Sequence, residues 1–194
     1  MSSFASYRFV SVLTASLLAA GTASAQAAAS TSAPSAPPAP EVGQPAPNFS
    51  GRVADASGVK AKPVSLADYK GKVVVLAFYP GDRTSGCTAE LTKFRDEYAT
   101  LFGDGVVVLG VSVDSLGSHA SWASEIKFPF TLVSDPDLSI AGQYGSTIPG
   151  RKFAARTVFV VGKDGTVHYR ELKFGALNED AYKKLADEVA KAKG

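Results

Sequence analysis

At 194 residues, with 45% hydrophobic and 20% charged residues, the chain has the size and composition of one soluble domain with extras, which excludes disorder throughout. Its formal net charge is +2, and the 20 basic residues nearly balance the 18 acidic ones, so nothing marks a nucleic-acid or acidic-lipid partner. One cysteine and two histidines are too few for a thiolate metal cluster, and a disulfide oxidoreductase is disfavoured because no CxxC occurs.

Residues 1–25 carry one Arg at position 8, an apolar run from Phe9 to Ala20 and then Ala23-Ser24-Ala25 before Gln26. This is the pattern of a secretory signal peptide with an A-x-A cleavage site, and the run is too short to span a bilayer. An uncleaved anchor or an organellar transit peptide are the other readings, since the stretch is Ser-rich and free of acids. Export to a periplasm or the exterior is therefore expected, with an organellar lumen as the alternative. Residues 26–44 are mostly Ala, Ser, Pro and Thr with no periodic apolar pattern, which predicts a flexible, partly polyproline spacer. The folded domain is expected over residues 45–194.

Lys72 to Tyr79 and Val106 to Val113 are continuous apolar, β-branched runs, the pattern of strands covered on both faces. Between them Leu91, Phe94, Tyr98 and Leu101 recur at helical spacing, and Gly103 closes an amphipathic helix. Strand, helix and strand in that order make a right-handed βαβ unit with parallel strands. Ser118 is positioned to cap a second helix reaching Ile126, and a short strand follows over Phe130 to Val133. Arg156 to Val161 and Thr166 to Leu172 flank Lys163-Asp164-Gly165, a hairpin signal. Asn178 then caps a last helix with Tyr182, Leu185, Ala186 and Val189 on one face. This order predicts an α/β fold, a three-layer α/β/α sandwich on a mixed central sheet. Trp122, Phe128, Phe130 and Phe153 are read mainly as core, with an apolar access path as the other possibility, and His119 and His168 as surface or helix-start residues.

Cys87 lies where the loop after the first core strand enters the amphipathic helix. Free backbone N–H groups and the helix dipole favour an anion there, the condition in which a thiol becomes a nucleophile. By position alone a small buried core cysteine is an equal reading. Thr84 precedes Cys87 by three residues, within reach of a tight turn; Pro80 stiffens the strand exit, and Gly81 and Gly86 allow close backbone approach. Glu90 follows Cys87 by one helical turn, where its carboxylate opposes a thiolate unless a cation compensates. Taken singly, Thr84 reads as a helix cap and Arg156 as a strand-end surface charge.

Pro80-Gly81-Asp82-Arg83-Thr84-Ser85-Gly86-Cys87 fits the PxxxTxxC motif of peroxiredoxins, and FYPGDRTSGCTAELTKFRD, Phe78 to Asp96, resembles the group called bacterioferritin comigratory protein or peroxiredoxin Q. The resemblance extends from about Ala46 to the C-terminus and includes Phe128 to Asp135 and the position of Arg156. It implies a thioredoxin-like fold and a thiol-dependent peroxidase acting on hydrogen peroxide and organic hydroperoxides. Cys87, Thr84 and Arg156 would be catalytic, Pro80 would share in substrate binding, and Glu90 would orient Arg156. No metal or other cofactor is implied. Many members of that group carry a resolving cysteine five residues after the first, where this chain has Thr92, so the expected reductant is an external thiol, either small or carried by a thioredoxin-like protein. The other expected partner is the peroxide, with no nucleic acid, no membrane, and a monomer or weak homodimer. A peroxide-sensing or redox-partner protein without turnover is the alternative function.

Overall fold

The computed structural model describes residues 38–194; the expected signal peptide and residues 26–37 of the spacer lie outside the described residues. The remainder of the spacer, residues 38–44, lies against the domain. Pro40 is buried, the Gly43 N–H donates to the Val167 carbonyl, and Arg170 donates to the carbonyls of Ala39 and Pro40 and pairs with Glu41.

In chain order the elements are β1 (Ser50–Asp55), β2 (Gly58–Val59), β3 (Val64–Ser65), a 3-10 turn (Leu66–Tyr69), β4 (Val73–Phe78), α1 (Ser85–Asp96), α2 (Tyr98–Leu101), β5 (Val106–Ser112), α3 (Leu116–Ile126), β6 (Thr131–Ser134), α4 (Ser139–Gln143), β7 (Thr157–Val161), β8 (Val167–Glu171) and α5 (Glu179–Lys193). The sheet runs β2-β1-β6-β5-β4-β7-β8, with β3 paired to β1. β4, β5 and β6 are mutually parallel, whereas β7, β8 and β1 join antiparallel, so the sheet is mixed as the sequence predicts.

All six residues of β4 are buried, and its alternation divides them between two cores. Val73, Val75 and Ala77 face Leu91 and Phe94 of α1, Trp122 of α3 and Tyr182 and Leu185 of α5. Val74, Leu76 and Phe78 face Phe49, Leu66, Ile140 and Tyr144 on the other side. These are the two outer layers of the sandwich. Trp122, Phe128 and Phe130 are buried in the first core, which assigns them to packing; Phe153 is only half-buried.

Three expectations shift. The single helix ending at Gly103 is two, because Glu97 (φ −107°, ψ 22°) leaves helical geometry between α1 and α2. The cap of α3 is Ser115, whose hydroxyl accepts the Ser118 N–H, so Ser118 lies inside the first turn. His119, read as a surface or helix-start residue, is fully buried. Asn178 caps α5 as expected, its side-chain oxygen accepting the Asp180 N–H at 3.0 Å.

Candidate active site

Cys87 occupies the third position of α1 and is wholly buried. The helix begins there because Gly81 to Thr84 turn the chain sharply out of β4, with Arg83 in the left-handed region at φ 60°. Thr84 is the N-cap residue by backbone, but its hydroxyl makes no cap bond and donates instead to the Gly81 carbonyl at 3.2 Å. The first-turn N–H groups, that of Cys87 included, are thereby left available to an anionic group. Thr84 is exposed, and among the described residues its hydroxyl makes no hydrogen bond to Cys87 or Arg156. Pro80 sits in the half-buried bend between β4 and that loop.

Arg156 immediately precedes β7, whose antiparallel pairing with β4 sets the guanidinium beside α1. Its Nη2 lies 3.4 Å from the Cys87 sulfur and its Nη1 donates to Glu90 Oε2. Gly86 makes room for this approach: a Cβ there would stand 3.0 Å from Arg156 Nη2. Cys87, Glu90 and Arg156 therefore meet as expected, and the expectation that Glu90 orients Arg156 rests on a direct ion pair.

Burial pushes the Glu90 carboxyl up to about 7, against the charge and hydrogen bond of Arg156, which pull it down. Its Oε1 is buried without a partner among the described residues. For Arg156, burial acts to lower the pKa, but the negative charges of Glu90 and Cys87 outweigh it and raise it, so the guanidinium stays charged. A fixed cation thus touches both the nucleophilic sulfur and a buried carboxyl. This arrangement can hold a polar two-atom substrate against the sulfur and stabilise charge that leaves it.

An open cleft of about 480 Å³ borders Arg156 and is lined also by Thr147, Ile148, Pro149, Leu172 and Phe174. Among the described residues there is no cluster of His, Cys, Asp or Glu able to hold a metal ion. Sequence reasoning missed the residues under the loop. Asp82 accepts from Tyr79, Ser118 and His119, and the Asp82 N–H donates to Asp114.

The AhpC/TSA family matches residues 42–170. A bcp peroxiredoxin of Coxiella burnetii (strain RSA 493 / Nine Mile phase I) is 41% identical over 133 residues, 66% of this chain and 85% of that protein. The chloroplastic peroxiredoxin Q of Arabidopsis thaliana is 44% identical over 128 residues, 64% of this chain and 56% of the relative, so the chain spans little more than half of such plant proteins. Among solved structures, peroxidoxin BcpB from Mycobacterium tuberculosis superposes with a TM-score of 0.66 at 25% identity, covering 80% of this chain and 99% of that one. AhpC of Enterococcus faecalis gives 0.68 at 25% identity over 77% and 91% of the two chains. With the motif, the fold and the Cys87–Arg156 contact in agreement, the chain belongs to the AhpC/TSA family and is a peroxiredoxin, a thiol-dependent peroxidase akin to the peroxiredoxin Q group, with a single cysteine.

Proposed function

We propose that Cys87 reduces hydrogen peroxide and organic hydroperoxides by direct displacement, with Arg156 as the fixed electrostatic group and an external thiol as reductant. The observation that carries this reading is the 3.4 Å contact between Arg156 Nη2 and the Cys87 sulfur, made by a guanidinium already anchored on Glu90. The Cys87 thiolate attacks the terminal oxygen of the peroxide; the S–O bond forms as the O–O bond breaks, and the alkoxide or hydroxide leaves and takes a proton from water. Sulfur loses two electrons to the peroxide and ends as a sulfenic acid. Charge moves from sulfur to the leaving oxygen, a path lined by Arg156 and by the N–H of Cys87 at the helix start. Thr84 contributes through its hydroxyl, whose donor is committed to Gly81 and whose lone pairs are open to a peroxide proton.

Ile148, Pro149, Leu172 and Phe174 give the cleft beside Arg156 an apolar wall suited to the alkyl group of an organic hydroperoxide. As Cys87 is the only cysteine in the 194 residues, an incoming thiol must reduce the sulfenic acid to a mixed disulfide and water, and a second thiol releases Cys87. The signal-like N-terminal stretch supports export as the setting. Peroxide consumption with a panel of thiol donors tests the reading: Cys87→Ser, nearly isosteric but not anionic at neutral pH, is expected to abolish turnover with the fold retained. Retained turnover would refute it.

A further inference from the structure

The loop that carries Thr84 and launches α1 rests on a buried polar network. Asp82 is its hub. Oδ1 accepts from the Tyr79 hydroxyl at 2.8 Å, Oδ2 from the Ser118 hydroxyl at 2.7 Å, and His119 Nδ1 lies 3.1 and 3.0 Å from the two oxygens. The Asp82 N–H donates to Asp114 Oδ2 at 2.8 Å, which also accepts from Ser112. The side chains of Asp82 and His119 are 3% and 0% exposed. Arg83, strained in the left-handed region, reaches the same helix α3 through Ser121 and Glu125. α3 therefore grips this loop four and five residues ahead of the reactive sulfur.

A buried polar pair is poor evidence for stability, since an apolar plug of like volume often serves the core as well. What the pair adds is direction. A carboxylate held by three side-chain donors and tied through its own N–H to Asp114 has little freedom, and the backbone attached to it has little more. Burial pushes the Asp82 carboxyl up, yet the hydrogen bond and charge of His119, with Ser118 and Tyr79, outweigh it and hold the carboxyl below its usual value, so it is ionised. Among the described residues His119 Nε2 is buried without a partner, and only the Nδ1 edge of the ring is engaged.

We propose that His119, acting through Asp82, is a positioning residue for peroxide reduction: its Nδ1 donor fixes the Pro80 to Thr84 loop so that Thr84 and the first turn of α1 face the peroxide held by Arg156. The inference rests on the peroxidase reading and deepens it. The asymmetry of the ring provides the test. An Asn amide nitrogen falls where Nδ1 lies and can donate to Asp82; a Gln amide reaches toward the Nε2 position; Leu fills the space and donates nothing.

The second-order rate of Cys87 oxidation by hydrogen peroxide and the melting temperature are measured for wild type, His119→Asn, His119→Gln and His119→Leu. Asn should retain a rate within about threefold of wild type while melting lower, because it underfills the site, whereas Gln and Leu should be slower by about 10- to 100-fold, the scale of a misaligned near-attack geometry. A purely packing role would order rate and melting temperature alike; positioning separates them. If Leu does not fold, Tyr79→Phe, which deletes one Asp82 donor and keeps the ring, should slow oxidation in the same sense. Wild-type rates in Gln, Leu or Tyr79→Phe, or an Asn variant as slow as Gln, would overturn the proposal. Absence of peroxide consumption by the wild type would instead overturn the peroxidase reading beneath it.

Discussion

Replacing Arg156 by Gln removes two interactions at once, and the structure gives a way to separate them. At an effective dielectric near 20, unit charges at the 3.4 Å Nη2–sulfur distance attract by about 5 kcal/mol. Arg156 meets charge on the sulfur before reaction and on the leaving oxygen during it, so only the difference accelerates the step. The usual loss for one such donor, about 10² to 10³ in rate, is the expected deficit. The same change strands Glu90, whose side chain is 0% exposed, and breaking a buried pair commonly costs about 3–5 kcal/mol of stability. Because burial holds the Glu90 carboxyl at about 7 even with Arg156 present, and losing Arg156 lets it rise further, the stranded group escapes much of that cost by holding a proton at neutral pH and below. Arg156→Gln should therefore be clearly destabilised near pH 8 and close to wild type near pH 5, while oxidation stays slow at both. Adding Glu90→Gln should restore stability at the higher pH without restoring the rate. Urea unfolding and stopped-flow oxidation at the two pH values provide the readouts. Recovery of the oxidation rate in the double variant to within a few-fold of wild type would refute the assignment of Arg156 to the chemistry.

Thr84→Val should slow oxidation by about tenfold or more and Thr84→Ser should be nearly normal, since the loss is that of a hydroxyl; equal rates for Val and wild type would remove Thr84 from the site. Glu90 has a folded-state pKa above its unfolded value of about 4.5, so it favours folding below that pH, and its contribution is lost as pH rises through about 7. Wild-type stability should thus carry a component that falls over this window and that Glu90→Gln lacks, as urea titrations across the range would show; Asp82, with its lowered pKa, acts in the opposite sense and only in acid.

The sequence made the centre of the fold legible because its signals are local. Six consecutive buried residues in β4 leave a continuous apolar run, and the Asp-Gly turn announces β7 and β8. β2 and β3, two residues each, escaped because their existence depends on pairing with β1, which no local pattern encodes. Cys87, Glu90 and Arg156 were brought together by a motif and a resemblance; position alone left Cys87 evenly divided between a reactive thiol and a core residue, and Arg156 a strand-end surface charge. His119 was misread although a signal was present: with Trp122 and Ala123 it falls at helical spacing on the buried face of α3. What could not be read was its partner, since Asp82 lies 37 residues away and reaches it only through the sheet.

The lack of a second thiol decides what becomes of the oxidised sulfur. In the peroxiredoxin Q group a thiol often stands where this chain has Thr92, and its capture of the sulfenic acid protects the first cysteine from further oxidation. Here no second thiol exists in the 194 residues, and Cys87 is fully buried in the first turn of α1 against Arg156. A disulfide between two chains would require both buried sulfurs to emerge and meet, whereas peroxide need only enter. Stoichiometric peroxide should therefore add one oxygen to Cys87, in a form that a carbon nucleophile traps, and excess peroxide should carry it on to the sulfinic acid. A small thiol or a reduced thioredoxin-like protein supplied with the first equivalent should intercept the sulfenic acid by forming a mixed disulfide and so restore activity. Intact-mass spectrometry distinguishes these species directly. Rapid and quantitative formation of a Cys87–Cys87 disulfide between chains, in place of the one-oxygen adduct, would refute the external-thiol mechanism and make a pair of chains the working unit.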